Sequence, residues 1–333
     1  MPDSFKALVV EETDNGSYQR SIKQRSVGDL PDHEVLVEVH YSALNYKDAL
    51  SATGNKGVTQ QFPHTPGVDA AGVVAKSDDG RFSAGDKVIV TSFDLGQNTA
   101  GGFGQYIRVP GDWIVPLPDG LSLRESMMLG TAGFTAAYGL HHLIQNGTNP
   151  ADGPILVTGA TGGVGSLAVA LLNLNNFKIT AATGKMEQED YLKSIGAATV
   201  IDRNKLSDDS GKPLLGSRWA GAIDTVGGSI LDVVLRQTQH NGTVACCGNI
   251  LGGELSTSIY PFILRGVSLM GIDSGICLMP MRKTIWNLLA ADWKPSCLDT
   301  ICRECTLNEL NNEIDKILEG GQVGKVTMNL KES

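Results

Sequence analysis

The stretch GPILVTGATGGVG, Gly153 to Gly165, decides how this chain is read. Ile155, Leu156 and Val157 form a short apolar run that passes straight into a glycine-rich turn. The small and apolar residues from Ser166 to Leu174 then read as a helix. A strand, turn and helix in this order need glycine for three reasons: the tight bend, the close approach of backbone to a pyrophosphate, and the packing of helix on strand. The helix start directs unpaired N–H groups and the positive end of its dipole at the phosphates. The six-position fingerprint falls on Ala160, Gly162 and Gly165, with alanine in place of the first glycine. Thr161, Gly163 and Val164 complete the turn. The reading is a dinucleotide-binding unit.

Working outward, strands alternate with helices from Ile155 on, at 155–158, 177–182, 198–201, 220–226, 242–248 and 267–272. Six parallel strands are the number a full dinucleotide-binding sheet uses. Before residue 120 the texture differs. Ala7–Val10, Glu34–His40, the end of Pro63–Ser77, Ala84–Val90 and Gly101–Val109 read as short strands punctuated by glycine and proline, which predicts a compact, barrel-like β-rich domain. Ser42–Leu50 reads as a helical start after a strand. Helices are expected over Leu121–Gln145, Pro280–Trp293 and Thr306–Glu319, and Lys325–Leu330 as a closing strand that returns to the first domain. The fold class is therefore α/β, a β-rich domain plus a Rossmann doubly wound, six-stranded parallel sheet.

The 333 residues suffice for two domains, and 41% hydrophobic content describes a globular chain with an adequate core. A net charge of −9 argues against nucleic acid or an anionic membrane as partner. No apolar run reaches the ~18 residues that span a bilayer. The first residues lack the basic and apolar regions of a secretory signal, and the six cysteines show no regular framework. Reduced thiols and a cytoplasmic location are the expectation.

Cofactor choice is read at the tip of the second strand of the sheet. NAD enzymes place an acidic residue there, about 20 residues beyond the glycines, to bind the ribose 2′-hydroxyl. Here the tip reads Thr183, Gly184, Lys185, and Arg203 after the third strand offers a second cation. A hydroxyl and two cations suit a 2′-phosphate, so NADPH is expected over NADH. Glu187 and Glu189 nearby act against it, and a solvated surface role for Lys185 stays open.

Eight segments carry a resemblance to a known family: SALNYKDAL (42–50), FPHTPGVDAAG (62–72), GDWIVPLPDGL (111–121), LGTAGFTA (129–136), VTGATGGVGSLAVALL (157–172), YLKSIGA (191–197), WAGAIDTVGG (219–228) and PFILRGVSLMGIDS (261–274). Over essentially its whole length the chain resembles the medium-chain dehydrogenase/reductase superfamily, and within it the acrylyl-CoA reductase group, also described as quinone oxidoreductases. The resemblance implies a GroES-like catalytic domain over residues 1–124 and 296–333, with a Rossmann NADPH-binding domain over 125–295. It also implies a homodimer through the edge of the Rossmann sheet, where the apolar strand Val267–Ile272 would lie. The segments Asn55–Gln61 and beyond Asp292 depart from the pattern.

Alcohol dehydrogenases of the superfamily hold zinc through Cys, His and a further Cys or acidic residue. The corresponding positions here read Leu44-Asn45-Tyr46 and Pro66-Gly67-Val68-Asp69, and residues 88–115 contain no cysteine. No metal is expected. Cys297, Cys302 and Cys305 show a C-x4-C-x2-C spacing without a fourth cysteine after them, and read as three thiols near a helix start. Cys246 and Cys247 read as core, and His64 as a loop histidine.

Without a metal to polarise an alcohol, reduction of a C=C bond conjugated to a carbonyl is favoured. Such a site needs orientation, a donor to the carbonyl oxygen and a proton for the α-carbon. By resemblance, Asn45 and Tyr46 fall where the active site meets the nicotinamide. Tyr46 is then the nicotinamide or substrate contact and candidate proton donor, and Asn45 a donor to ribose or carbonyl oxygen. Asp48 would orient Lys47 or Tyr46. The resemblance assigns cofactor contacts also to Thr131, Thr135, Gly248, Asn249, Ile250, Phe262, Ile263 and Ser274. Arg265, Arg282 and Lys325 are candidates for the phosphates of a CoA thioester. The expected activity is NADPH-dependent reduction of a short 2-enoyl-CoA. An NADPH quinone or alkenal reductase is the alternative, and an NADPH-binding protein without turnover a third reading.

Overall fold

The computed structural model describes residues 3–332. Strands β1 (Ser4–Glu12) and β2 (Tyr18–Ser26) come first, then β3 (Val35–Leu44), the short helix α1 (Tyr46–Ser51), β4 (Asp69–Ser77), β5 (Lys87–Thr91), β6 (Tyr106–Val109) and β7 (Ile114–Pro116). Helix α2 (Leu123–Gln145) leads to β8 (Ile155–Val157), α3 (Gly163–Leu174), β9 (Ile179–Thr183), α4 (Glu189–Ser194) and β10 (Thr199–Asp202). Next come β11 (Trp219–Asp224), α5 (Gly228–Gln237), β12 (Thr238–Cys246), α6 (Tyr260–Arg265) and β13 (Ser268–Gly271). The chain closes through α7 (Met279–Ala290), α8 (Leu298–Ile301), β14 (Cys302–Thr306), α9 (Leu310–Leu318) and β15 (Lys325–Asn329). It divides into two compact units. One runs to Thr131 and takes up Gly275–Ala290 and the segment from Cys302; the other comprises Ala132–Ser274 and Ala291–Ile301.

In the first unit a seven-stranded sheet runs β14-β15-β3-β4-β5-β7, with β6 also paired to β3. The alternation of β3 buries Val35, Val37 and Val39 in a core with Leu8, Val10, Val88, Val90 and Phe103. The closing strand pairs antiparallel with β3, Val326 opposite Leu44 and Met328 opposite Ser42, while β4 sets Ala70 opposite Ser42. One step further along these registers, Lys325 and Asp69 both come abreast of the Ala43–Asn45 end of β3. Sequence periodicity misses β2, because YQRSIKQRS is mostly polar, with only Tyr18 and Ile22 packed against the core; its nine pairs with β1 make it a strand. Cys297 stands just before the start of α8, whereas Cys302 and Cys305 lie on strand β14 rather than at a helix start. Helix α7 belongs to this unit, tied in by the buried Arg282, which donates to Thr91 O and Gly275 O at 3.1 Å.

The second unit holds a six-stranded parallel sheet in the order β10-β9-β8-β11-β12-β13. Counted within the unit this is 3-2-1-4-5-6, the order of a dinucleotide-binding sheet. The strand order reverses between β8 and β11, and ligands of such sheets bind beyond the strand ends at that point. Leu156, Ala222, Val226, Val234 and Val244 form the core there. No helix among the described residues is long and apolar enough to cross a membrane.

Candidate active site

The β-rich unit holds a buried polar cluster. Asn45 follows β3 as the N-cap of α1, and its backbone N–H donates at 2.8 Å to Oδ2 of Asp48, the third helical residue. Asp48 Oδ1 accepts the N–H of Val68 at 2.8 Å. The Asn45 carboxamide donates through Nδ2 to Asp69 Oδ2 at 2.8 Å and to Asp48 Oδ2 at 3.3 Å. Its Oδ1 accepts from Lys325 Nζ at 2.9 Å. Because ammonium only donates and carboxylate only accepts, the carboxamide has one orientation. Lys325 Nζ lies 3.6 Å from Asp69 Oδ2.

Asp69 also accepts from the Thr131 backbone at 3.0 Å and from the Thr131 hydroxyl at 2.5 Å. Gly130 makes this contact possible. It breaks α2 at φ 52, ψ −157, and a Cβ there would meet Asp69 Oδ2 at 2.5 Å. Ser92 Oγ lies 3.1 Å from Thr131 Oγ1. As the Thr131 proton is committed to Asp69, the Ser92 hydroxyl is the donor of that pair. Burial, and next the Asp69 carboxylate, push Asp48 up to about 7, against the pull of its N–H donors and Lys325.

These contacts revise several roles. Asp48 holds Asn45 and Val68 rather than Lys47 or Tyr46. Both faces of the Asn45 carboxamide are already engaged, so a bond to ribose or a carbonyl oxygen would have to displace one. Tyr46, the first residue of α1, is 49% exposed. The proposed CoA cations are all committed elsewhere: Lys325 to Asn45 and Asp69, Arg282 beneath Thr91 and Phe93, and Arg265 to the carbonyls of Arg236, Thr238 and Leu215. His64 lies in the connection between α1 and β4, bridged to Val10, but is buried there, edge-on to Phe62, and burial lowers its pKa.

In the second unit, the candidate dinucleotide site lies at the strand ends of the parallel sheet. The left-handed residue of the turn is Gly159 (φ 58), one place before Ala160, and a Cβ there would meet Thr225 Oγ1 at 2.3 Å. Ala160 is buried and donates its N–H to Ala182 O, so it braces the turn rather than offering a phosphate contact. Gly162 caps α3, and a Cβ on Gly165 would meet Gly159 O at 2.3 Å. Asp224, buried at the reversal of strand order, accepts from Thr158 Oγ1 at 2.7 Å and from the Gly227 N–H at 2.8 Å, which ties the ends of β8 and β11 together.

Thr161 and Thr183 hydroxyls meet at 3.1 Å, and the Lys185 N–H donates to Thr183 Oγ1. Arg203 reaches back over Gly184. The turn, Thr183, Gly184, Lys185 and Arg203 are thus brought together. Gly248 packs on Thr225, where a Cβ would meet its carbonyl at 1.9 Å, and Asn249 and Ile250 are exposed beyond it. Thr135 donates to Ser274 at 2.8 Å. Phe262 and Ile263 are not part of this group. Phe262 packs into the core with Trp219 and Val267, and Ile263 is 62% exposed.

Among the described residues no group of three or more His, Cys, Asp or Glu could hold a metal ion. Fold and turn define a two-domain, dinucleotide-binding oxidoreductase. Residues 31–119 match the alcohol dehydrogenase GroES-like domain, and residues 163–290 match the zinc-binding dehydrogenase family. The chain is 41% identical to the acrylyl-CoA reductase AcuI of Ruegeria pomeroyi, over 98% of this chain and 99% of that one. It is 46% identical to YhfP of Bacillus subtilis, which is named as a quinone oxidoreductase, over 99% and 100%. The structure of YhfP with NAD bound superimposes with a TM-score of 0.95 at 45% identity, covering 99% and 100% of the chains. The YhdH oxidoreductase of Salmonella enterica in complex with NADP gives 0.95 at 41%, covering 98% and 99%. This chain belongs to the zinc-independent medium-chain dehydrogenase/reductase superfamily, in the family of acrylyl-CoA reductases and related quinone oxidoreductases.

Proposed function

We propose that the protein reduces the conjugated C=C bond of a short 2-enoyl-CoA, acrylyl-CoA to propionyl-CoA, with NADPH. The observation that carries this is the near full-length similarity to AcuI, together with the hydroxyl and cations at the tip of β9 in place of an acidic residue. The residues present fit the dinucleotide. Gly159, Gly162 and Gly165 leave a bare turn at the start of α3, and Thr183, Lys185 and Arg203 gather where a 2′-phosphate would be held. When bound, NADPH supplies a hydride from nicotinamide C4 to the β-carbon.

The protein orients the thioester and stabilises the enolate that develops on its carbonyl oxygen. Tyr46, exposed at the start of α1, is the group we assign to deliver a proton at the α-carbon; the phenolate it leaves is reprotonated from water. Asn45, locked by Asp69 and Lys325, fixes where α1 begins. The cations that meet the CoA phosphates lie elsewhere than Arg265, Arg282 and Lys325. Two copies would associate through the edge strand β13, beside which Ile259, Ile263 and Leu264 are exposed. Light scattering tests that association.

NADPH oxidation followed by absorbance with acrylyl-CoA, crotonyl-CoA, free acrylate and a simple benzoquinone tests the activity. Preference for acrylyl-CoA supports the reading. Preference for the quinone supports the second one, toward which the name of the Bacillus subtilis relative points.

A further inference from the structure

Lys325 opens the closing strand β15 at 1% exposure, between the β-rich core and the ends of β3 and β4. Its strand neighbours Val326 and Met328 serve that core as apolar residues. Packing alone would be met equally well by leucine or methionine. Replacing a buried ion pair by well-packed apolar groups is often neutral or stabilising. The ammonium therefore calls for another explanation, and its contacts supply one. Nζ donates to Asn45 Oδ1 at 2.9 Å and faces Asp69 Oδ2 at 3.6 Å, while Asp69 Oδ2 accepts the Asn45 amide at 2.8 Å. Lysine and aspartate grip the two ends of one carboxamide. The backbone N–H of the same residue is held by Asp48. Asn45 is thus fixed at three points, and the next residue is Tyr46.

We propose that Lys325 is a positioning residue of the active site. Its ammonium locks the Asn45 carboxamide against Asp69 and so sets the direction in which α1 and Tyr46 leave β3. It also offsets the charge of the buried carboxyl pair Asp48 and Asp69, the titratable groups that face it. This deepens the reading of Asn45 and Tyr46 as the reacting site and rests on it. Asn45 and Lys325 stand 280 positions apart in the chain. The C-terminal strand therefore completes a site begun near the N-terminus.

The test compares Lys325→Met and Lys325→Arg with Lys331→Met, an exposed control on the same terminal segment. Thermal unfolding, NADPH binding by fluorescence, kcat, KM and the pH profile of kcat are measured for each. Lys325→Met should keep NADPH affinity and lose about 100-fold in kcat, the scale of a small misplacement of a reacting group. With the cation gone, the buried Asp48 holds its proton to higher pH, so the corresponding limb of the profile should move up. Lys325→Arg should restore part of kcat and return the limb toward its original position. Should Lys325→Met fail to fold, Lys325→Met/Asp69→Asn keeps the cluster's charge balance and should fold with kcat still depressed.

An unchanged kcat and pH profile in folded Lys325→Met overturns the proposal, as does full activity in the double variant. A wild-type protein that reduces neither enoyl thioesters nor quinones defeats the underlying reading, and this proposal with it. That outcome is visible before any variant is made.

Discussion

The Arg203 side chain lies so close over Gly184 that a Cβ on residue 184 would meet its Nε at 2.9 Å and its Cζ at 3.0 Å. The absent side chain is what lets a cation from beyond β10 reach the tip of β9. There it stands with the Thr183 hydroxyl, which also accepts from the Lys185 N–H. A charge-assisted contact to a 2′-phosphate is worth about 1.5–3 kcal/mol, so Arg203→Ala should raise the KM for NADPH by roughly 10- to 100-fold and leave that for NADH nearly unchanged. Gly184→Ala should displace Arg203, a flexible side chain, at little cost in stability, with the same loss of preference. Equal losses with both cofactors would remove Arg203 from the recognition of the phosphate.

Tyr46→Phe separates chemistry from folding. The residue is half exposed, so its hydroxyl should contribute little to thermal stability. A proton donor contributes about 10²–10⁴-fold, and kcat should fall on that scale with an unmoved unfolding midpoint. An unaltered kcat would exclude Tyr46 as the acid.

Asp48 makes stability depend on pH in a definite direction. Its folded value of about 7 lies above the unfolded carboxyl value of about 3.9, so the folded state binds the extra proton between them. Its contribution is therefore greatest below pH 4, declines as pH rises toward 7, and is level above that. Denaturant titrations across this range should show the decline in the wild type, and Asp48→Asn should remove it. The variant should also be less stable at every pH, because its amide nitrogen faces N–H donors. His64, whose pKa burial lowers, works oppositely, and stability falls with it below about pH 6.5. A wild-type to Asp48→Asn difference that is flat across this range would show Asp48 to be ionised throughout.

Arg282 holds a strained turn. Ser92 and Phe93 both adopt left-handed backbone, at φ 65 and 51, which costs non-glycine residues about 1–3 kcal/mol each. The guanidinium lies 4.4 Å from the Phe93 ring centre and donates to Thr91 Oγ1 at 3.0 Å, and the Trp113 ring stacks on Phe93 at 5.6 Å. Arg282→Met should destabilise the protein by about 2–4 kcal/mol in chemical denaturation, since it leaves buried acceptors unmet. A change below about 0.5 kcal/mol, the scale of surface substitutions, would show that the turn holds itself.

The parallel sheet was legible because its signals are local. Apolar runs of strand length, glycine at a bend and a polar interval recur along the sequence, and each of the six strands could be read within a few residues of its place. The turn was legible too, although the residue that needs glycine's freedom is Gly159, outside the expected pattern. Strand β2 was not, because nothing in YQRSIKQRS alternates; it is defined only by what lies beside it. Cys302 and Cys305 were placed near a helix for a related reason, since β14 is short and gains its partner from β15.

What the chain alone determined is its class: a dinucleotide turn between strand and helix, six alternating strands, a β-rich domain ahead of them, and no metal-ligand side chains at the expected positions. These follow from the spacing of residue types, which survives without a third dimension. Tertiary structure decided what the charged residues do. Asp69 and Lys325 come from segments far apart in sequence, and the registers of β3 with β4 and β15 bring them to Asn45, while Thr131 reaches Asp69 through the break of α2 at Gly130. Lys325, Arg265 and Arg282 look in sequence like cations free to meet phosphates. In the fold each is committed to partners inside the protein, and for the buried Lys325 and Arg282 this follows because a buried charge must be paired or hydrogen-bonded where it lies.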